Sequence, residues 1–178
     1  MIAPTLETPR LILRALSPDD WEAYAEAWAD PRMTRFIGGQ PRYRPTSWGK
    51  FLQAAGLWSI LGYGYWSFID RETGRLAGNG GLAQFERGVA ALAGHAEAGW
   101  AFVPDVWGKG YATEAMSAIL EWADRGPRLA EIRAIIDADN LASNRVAEKC
   151  GFVRVIASLP EMPGTALWTR AARPTAAA

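Results

Sequence analysis

The sequence predicts a mixed α/β fold, one sheet with helices packed against it. Three features carry the prediction. Apolar residues recur at helical spacing in two stretches: Trp21, Tyr24, Ala25 and Trp28, and then Ala112, Ala115, Met116, Ile119, Leu120 and Ala123. Around them lie short alternating or apolar runs bounded by Gly, Pro and Asp turns, the mark of strands. The two kinds interleave as β-α-α-β-β-β-α-β-α-β-β, and 178 residues with 49% apolar and 21% charged side chains are enough for one domain with one core.

The first strand is Thr8–Leu16, where charges alternate with aliphatics. Ser17 caps a helix with Pro18 at its first position, and the helix runs Asp19–Ala29 until Asp30-Pro31 stops it. Arg32–Ile37 is a short second helix and Gly38–Pro41 a loop. Thr46 or Ser47 caps the next helix, from Trp48 to about Ser59. Gly62–Asp70 alternates large aromatics and reads as a strand. Past the turn Arg71–Gly74, its hairpin partner is Arg75–Phe85, whose glycines suggest a bulge or a close backbone approach. Glu86–Ala93 is a loop. Glu97–Val103 is a strand ended by Pro104, with the second amphipathic helix behind it until Gly126-Pro127. Glu131–Asp137 is a buried strand. Asp139-Asn140 introduces the helix Leu141–Cys150, which Gly151 closes with Phe152 making the accompanying apolar contact. Strands Phe152–Ser158 and Ala166–Ala171 flank the turn Pro160–Gly164, and the tail 173–178 frays.

Composition narrows the function. Lys plus Arg equals Asp plus Glu at 19 each, which argues against a nucleic-acid partner. With one cysteine, Cys150, and one histidine, His95, there is no intramolecular disulfide and a Cys/His zinc site is disfavoured. The opening MIAPTLETPR lacks the basic and apolar regions of a signal peptide. The uncharged span Phe51–Ile69 is interrupted by Gln53, Ser59, Ser67 and three glycines, so it reads as a helix end and a strand, not a membrane span. The expectation is a cytoplasmic protein, monomer or homodimer, with no metal, no nucleic acid and no membrane.

One stretch organises the rest: Gly99–Ala115, GWAFVPDVWGKGYATEA. It reads as strand, glycine-spaced turn, helix. The first N–H groups of a helix lack intrahelical partners and face the positive end of the dipole, and glycines let a phosphate approach them. The turn is no P-loop, because GxxxxGK[ST] is absent, and no dinucleotide fingerprint, because Thr113 takes the third glycine position. Taken alone it is either an anion cradle or a tight turn.

Context extends that reading. Thr8–Leu16, Gly99–Ala115 and Asn140–Phe152 (NLASNRVAEKCGF) occur in an order similar to that of the GNAT superfamily of acetyl-CoA-dependent N-acyltransferases. They resemble the branch of the ribosomal-protein N-terminal acetyltransferases and span about residues 8–170. The resemblance implies a mixed, mostly antiparallel sheet that splays between the strands Glu97–Val103 and Glu131–Asp137. It implies that backbone groups of Phe102 and Val103 pair with pantetheine amides. Backbone N–H groups from Trp107 through Gly108, Lys109, Gly110 and Tyr111 to Ala112 would hold the pyrophosphate of acetyl-CoA. Asp105 stands where the family often has Gln or Arg. Asn140 would cap its helix and also reach the pantetheine.

Acetyl transfer to an amine needs the ammonium deprotonated, the carbonyl oxygen stabilised and the thiolate given a donor. Glu97, at the entry of the coenzyme strand, is the first candidate for the base. Glu86 and His95 lie in loops and are weaker candidates. Many family members carry a tyrosine in the last helix for the acid, where Ala147 stands here; the resemblance implies instead that Ser143, one turn earlier on the same face, meets the sulfur, and Ser143 also suits the third position of a capped helix. Cys150 reads as a small core residue, Glu114 and Glu148 as helix-surface or capping charges, and Lys109 either touches phosphate or is solvated. Trp21, Trp28, Trp48, Trp58 and Trp66 read as packing, with some of them, Phe36 and Tyr43 walling an acceptor pocket as the resemblance implies. Two functions stay open: transfer of acetyl from acetyl-CoA to a primary amine, small-molecule or peptide, by direct attack in a ternary complex, or a non-catalytic acyl-CoA-binding module.

Overall fold

The computed structural model describes residues 2–127 and 129–173. Of the tail expected to fray, only Arg173 lies among them. The strands are β1 (Leu6–Glu7), β2 (Leu11–Arg14), β3 (Tyr65–Asp70), β4 (Leu76–Ala83), β5 (Ala96–Phe102), β6 (Glu131–Asp137), β7 (Val153–Ile156) and β8 (Thr165–Ala171). The helices are α1 (Trp21–Ala29), α2 (Pro31–Thr34), α3 (Arg44–Leu61), α4 (Tyr111–Arg125) and α5 (Leu141–Lys149). The strands form one sheet in the order β1-β2-β3-β4-β5-β6-β8-β7.

Two expectations shift. The stretch from Thr8 is the end of a short hairpin, because Thr8 turns the chain by exchanging hydrogen bonds with Leu11 before β2 begins. Helix α3 starts at Arg44 and not Trp48, since Pro45 suits a first turn; Tyr43 is its N-cap and Ser47 lies buried inside it. The cap at Ser17 forms as expected, with its hydroxyl accepting from the Asp19 N–H and Asp20 completing a capping box.

Every strand pair is antiparallel except β5–β6. That parallel pair registers only Ala96 with Ile132 and Glu97 with Arg133. Beyond Glu97 the two strands part, so the C-terminal half of β5 has a strand on its β4 side alone. The expected splay is therefore present, and it exposes backbone that a sheet normally pairs.

Side chains of a strand alternate between faces, and here the alternation sorts the core. Phe68, Ala96, Ala98 and Phe102 join the larger cluster with Met116, Ile119 and Leu120 of α4, all at most 6% exposed. Ala101 instead joins Tyr24, Trp28, Met33 and Phe51 on the opposite face. Each fully buried aliphatic contributes about 1.5–3 kcal/mol. Helices α4 and α1 thus clamp the sheet from opposite sides, and β5 runs between them.

Two ion pairs anchor these helices. Asp20 is 5% exposed and accepts both Arg14 terminal nitrogens (2.8 and 2.7 Å), the Ser67 hydroxyl (2.7 Å) and the Ser17 N–H (3.0 Å). Asp124 of α4 takes a bidentate contact from buried Arg170 of β8 (3.0 and 2.6 Å). No described helix is long and apolar enough to cross a membrane.

Candidate active site

The splay opens a cleft with two lobes of about 740 and 590 Å3. They share Trp100, Ala101, Asn140 and Ser143, along with Arg35, Phe36 and Ile37 from the loop after α2. The smaller lobe runs to the glycine turn and the start of α4; the larger reaches α1, β3 and Glu97.

In the smaller lobe the register of β5 decides which backbone groups are free. Phe102 lies opposite Gly78, and the Val103 N–H donates to the Ala77 carbonyl (2.9 Å). Alternation then turns the amides of Trp100 and Phe102 toward the opening and those of Ala101 and Val103 toward β4. The expected pairing through Val103 is corrected on this ground: its N–H is spent on β4 and its carbonyl accepts from the Val106 N–H (3.2 Å). The Phe102 carbonyl meanwhile accepts the Trp107 indole N–H (2.7 Å).

The turn needs its glycines, with φ of +73° at Gly108 and +83° at Gly110, conformations costly to any residue with a Cβ. The Trp107 N–H is taken by the Pro104 carbonyl (3.1 Å), so the run of unpaired donors begins at Gly108 and not at Trp107. The Glu114 N–H closes the first helical bond onto Gly110 (3.1 Å). From Gly108 through Lys109, Gly110, Tyr111 and Ala112 to Thr113, no backbone N–H has a backbone acceptor among the described residues. These converging donors at a helix N-terminus suit an anion. The Lys109 side chain is exposed and does not line the lobe, whereas its carbonyl accepts from Arg10 (2.6 Å). Glu114, expected as a helix-surface or capping charge, instead ties α4 to the first hairpin, accepting from the Thr8 hydroxyl and from Arg10. Tyr111 is pinned through its hydroxyl to Asp70 (2.6 Å).

Gly110→Ala is expected to lower stability by about 1–2 kcal/mol, the cost of a left-handed conformation for an L-residue. Strain in the turn should also displace the N–H groups that follow it and so weaken acetyl-CoA binding, while the added methyl itself would make only an ordinary contact 3.4 Å from the Arg10 guanidinium. Gly62→Ala, at φ +75° with open space around it, is the control: similar stability loss in thermal denaturation, unchanged coenzyme affinity by calorimetry.

Asn140 and Ser143 stand where the lobes meet. The Asn140 side-chain oxygen accepts the Ser143 N–H (3.1 Å), so the cap is real, and the Asn140 amide nitrogen and the Ser143 hydroxyl remain available to the cleft. Ala147 is fully buried beneath. Burial raises the pKa of the Cys150 thiol, which keeps it protonated and inert.

Glu97 faces the larger lobe, on the same face of β5 as Gly99 and Ala101. It is 6% exposed, and Oε2 makes no hydrogen bond to the described protein. The nearest cation is Arg87, at 3.4 Å but off a hydrogen-bonding line. Burial raises the Glu97 pKa and Arg87 partly opposes it. Of the weaker candidates, Glu86 lines the same lobe, while His95 is held by the Ala93 carbonyl (2.8 Å) and faces Glu131.

Sequence reasoning missed Tyr65. It lies opposite Gly81 on β4, which lies opposite Gly99 on β5. With no side chain in that row, the ring crosses two strands and sets its hydroxyl over Gly99; a Cβ there would meet it at 2.3 Å. Burial, then the charge of Glu97, push the Tyr65 pKa far up, so the phenol stays a donor. Asn79 and Arg42 were missed too. Asn79 accepts the Trp28 indole N–H (3.2 Å), and the Arg42 guanidinium carbon lies over the Trp28 ring, 3.5 Å from its centroid. Trp28 and Phe36 wall the lobe as expected; Tyr43 is 74% exposed and does not.

A sheet split beside a strand with unpaired amides, with a glycine turn at a helix N-terminus at one end and a buried carboxylate at the other, is the arrangement that the resemblance to acyl-coenzyme A-dependent transferases implies. The family model for the acetyltransferase (GNAT) domain matches residues 10–153. An uncharacterized N-acetyltransferase, YoaA of Bacillus subtilis (strain 168), is 32% identical over 153 residues, spanning 84% of this chain and 82% of its own. The solved acetyltransferase from Agrobacterium tumefaciens str. C58 is 30% identical, with a TM-score of 0.83 over 96% of this chain and 95% of its own. A ribosomal-protein-S5-alanine acetyltransferase from Vibrio fischeri shares the fold at 17% identity (TM-score 0.72, covering 96% of this chain and 97% of its own). The chain belongs to the GNAT acetyltransferase family and is an acetyl-CoA-dependent N-acetyltransferase.

Proposed function

We propose that the enzyme acetylates a primary amine by direct attack in a ternary complex, with coenzyme in the smaller lobe and acceptor in the larger. Acetyl-CoA supplies the thioester. Its pyrophosphate is assigned to the N–H groups of Gly108 to Ala112, and its pantetheine to the free amides of Trp100 and Phe102 and the side-chain nitrogen of Asn140. Glu97 receives the proton of the incoming ammonium, directly or through water. Its raised pKa brings it nearer the pH at which a general base works best. Ser143, at the junction of the lobes, gives the departing sulfur a hydroxyl donor. The protonated Tyr65 hydroxyl, over Gly99, positions the nucleophile or its water. The whole chain acts as one domain.

The observation that carries this reading is the position of Glu97: buried and short of hydrogen bonds, on the acceptor side of the strand whose amides stand free. Stabilisation of the fold by acetyl-CoA, together with thiol release that depends on an added amine, tests it. No stabilisation by acetyl-CoA removes the coenzyme assignment. Stabilisation without thiol release from any amine favours a binding module.

Arg87 offers a finer check. Its charge favours the ionised form of Glu97 against burial. Arg87→Gln therefore raises the Glu97 pKa further, and the acidic limb of the kcat/KM–pH profile is expected to move to higher pH. A limb that stays in place, or moves down, argues against Glu97 as the titrating base.

A further inference from the structure

The chain as a whole is electrically balanced, with 19 cationic and 19 acidic side chains, but the acceptor lobe is not. Arg35, Arg42, Lys50 and Arg87 line it against Glu86, Glu97 and Asp137. Among the described residues, Arg35, Arg42 and Lys50 form no ion pair, and Arg87 is the partner of Glu97.

Arg42 is the best placed of these. Its backbone N–H donates to the Trp28 carbonyl (2.9 Å), and its guanidinium stacks on the Trp28 ring at 3.5 Å. Trp28 is itself held by Asn79 (3.2 Å) and is 5% exposed, so the platform is rigid. A guanidinium stacked on an aromatic face keeps its in-plane N–H fork free, and that fork matches a carboxylate in bidentate fashion. The neutral Tyr24 hydroxyl meets the guanidinium, no carboxylate among the described residues is its ion-pair partner, and burial works against its charge. A half-buried cation without a counter-ion calls for an anion from outside.

Glu97 and Tyr65 line the same lobe as Arg42. We propose that the acceptor is a small amine that also carries a carboxylate, an α-amino acid or close analogue, with the amine presented to Glu97 and the carboxylate held by Arg42. This rests on the acetyltransferase reading above and names the substrate class of that site. A polycationic acceptor such as a polyamine would meet a surplus of positive charge in the lobe.

The test is thiol release by the full-length enzyme with acetyl-CoA and a matched panel: free amino acids, their C-terminal amides, tripeptides beginning with the same residues, phosphoethanolamine and spermidine. The free amino acids are expected to exceed their amides in kcat/KM by about ten- to a hundredfold, the value of one charge-assisted bidentate contact. Arg42→Gln should erase that ratio, chiefly by raising KM, with Arg42→Lys restoring part of it. The ratio is taken within each variant, and stabilisation by acetyl-CoA confirms that each is folded. Amides, tripeptides, phosphoethanolamine or spermidine used as well as the free amino acids would overturn the proposal while leaving the acetyltransferase reading intact. So would an unchanged ratio in Arg42→Gln. No thiol release from any acceptor would overturn both.

Discussion

Glu97→Gln is expected to lower kcat by about a hundred- to a thousandfold, within the range that a positioned general base contributes. Acetyl-CoA should bind as before, since the free amides of Trp100 and Phe102 and the donors of the turn do not involve Glu97. The stability of the variant makes the test discriminating. Burial raises the pKa of Glu97 in the fold, so the folded carboxyl keeps its proton to higher pH than the unfolded one. Between those two values the unfolded chain binds fewer protons, and stability falls as pH rises. Above both, the full cost of a buried carboxylate is present, and a glutamine does not carry it. The variant is therefore expected to melt no lower than the parent at pH 8, and higher if Arg87 compensates incompletely. A side chain kept for structure would show the reverse: a lower melting temperature together with retained turnover. Equal kcat in parent and variant at low pH, where the amine is most protonated, would remove Glu97 as the base.

Much of the fold could be read in the chain. The period switch gave α1, α4 and the central strands, and β6 has the expected bounds. Ser17, Gly151 and Asn140 end or begin helices through local hydrogen bonds, which neighbours in sequence suffice to specify. What was missed depends on distant pairs. The start of α3 is a competition between the polar caps Thr46 and Ser47 and an earlier start at Arg44-Pro45, and sequence spacing does not rank them. Val103 and Trp107 were drawn into the coenzyme site by their place in a motif. Whether an amide is free depends on which strand it faces, and only the register with Ala77 and the turn at Pro104 settle that. Tyr65 could not be found as a site residue without knowing that Gly81 and Gly99 lie in one row across the sheet. Arg42 reads in the sequence as one more loop charge; its role comes from Trp28, fourteen positions earlier, on which it lies. The position of Glu97 on β5 was legible because it depends on one strand and the turn that follows it.

Asp20→Ala is expected to cost about 2–3 kcal/mol in denaturant unfolding. That is the low side of what removing one partner of a buried ion pair costs, because Arg14 is 34% exposed and water screens its half of the pair. The loss has three parts: Arg14 loses its counter-ion, the Ser67 hydroxyl loses its acceptor at 2.7 Å, and the capping box at Ser17 opens. Burial works against the Asp20 charge, but hydrogen bonds from Arg14, Ser17 and Ser67 outweigh it and hold the pKa below the usual carboxylate value. The stabilisation is then fully present above the unfolded pKa and is lost as pH falls through the lower, folded one. The parent should lose stability over that acidic window more steeply than the variant, so the difference between them narrows toward low pH. A constant difference would mean that the loss is packing and not charge. The consequence for function follows from what α1 carries. Asp20 ties the start of that helix to β2 and β3, and one and two turns on come Tyr24 and Trp28, the wall of the acceptor lobe and the platform for Arg42. The coenzyme lobe draws its donors from β5, the glycine turn and α5, which Asp20 does not touch. In folded Asp20→Ala, the KM for the acceptor should therefore rise before the affinity for acetyl-CoA falls, and a parallel loss of both would show that α1 and the coenzyme lobe move as one unit.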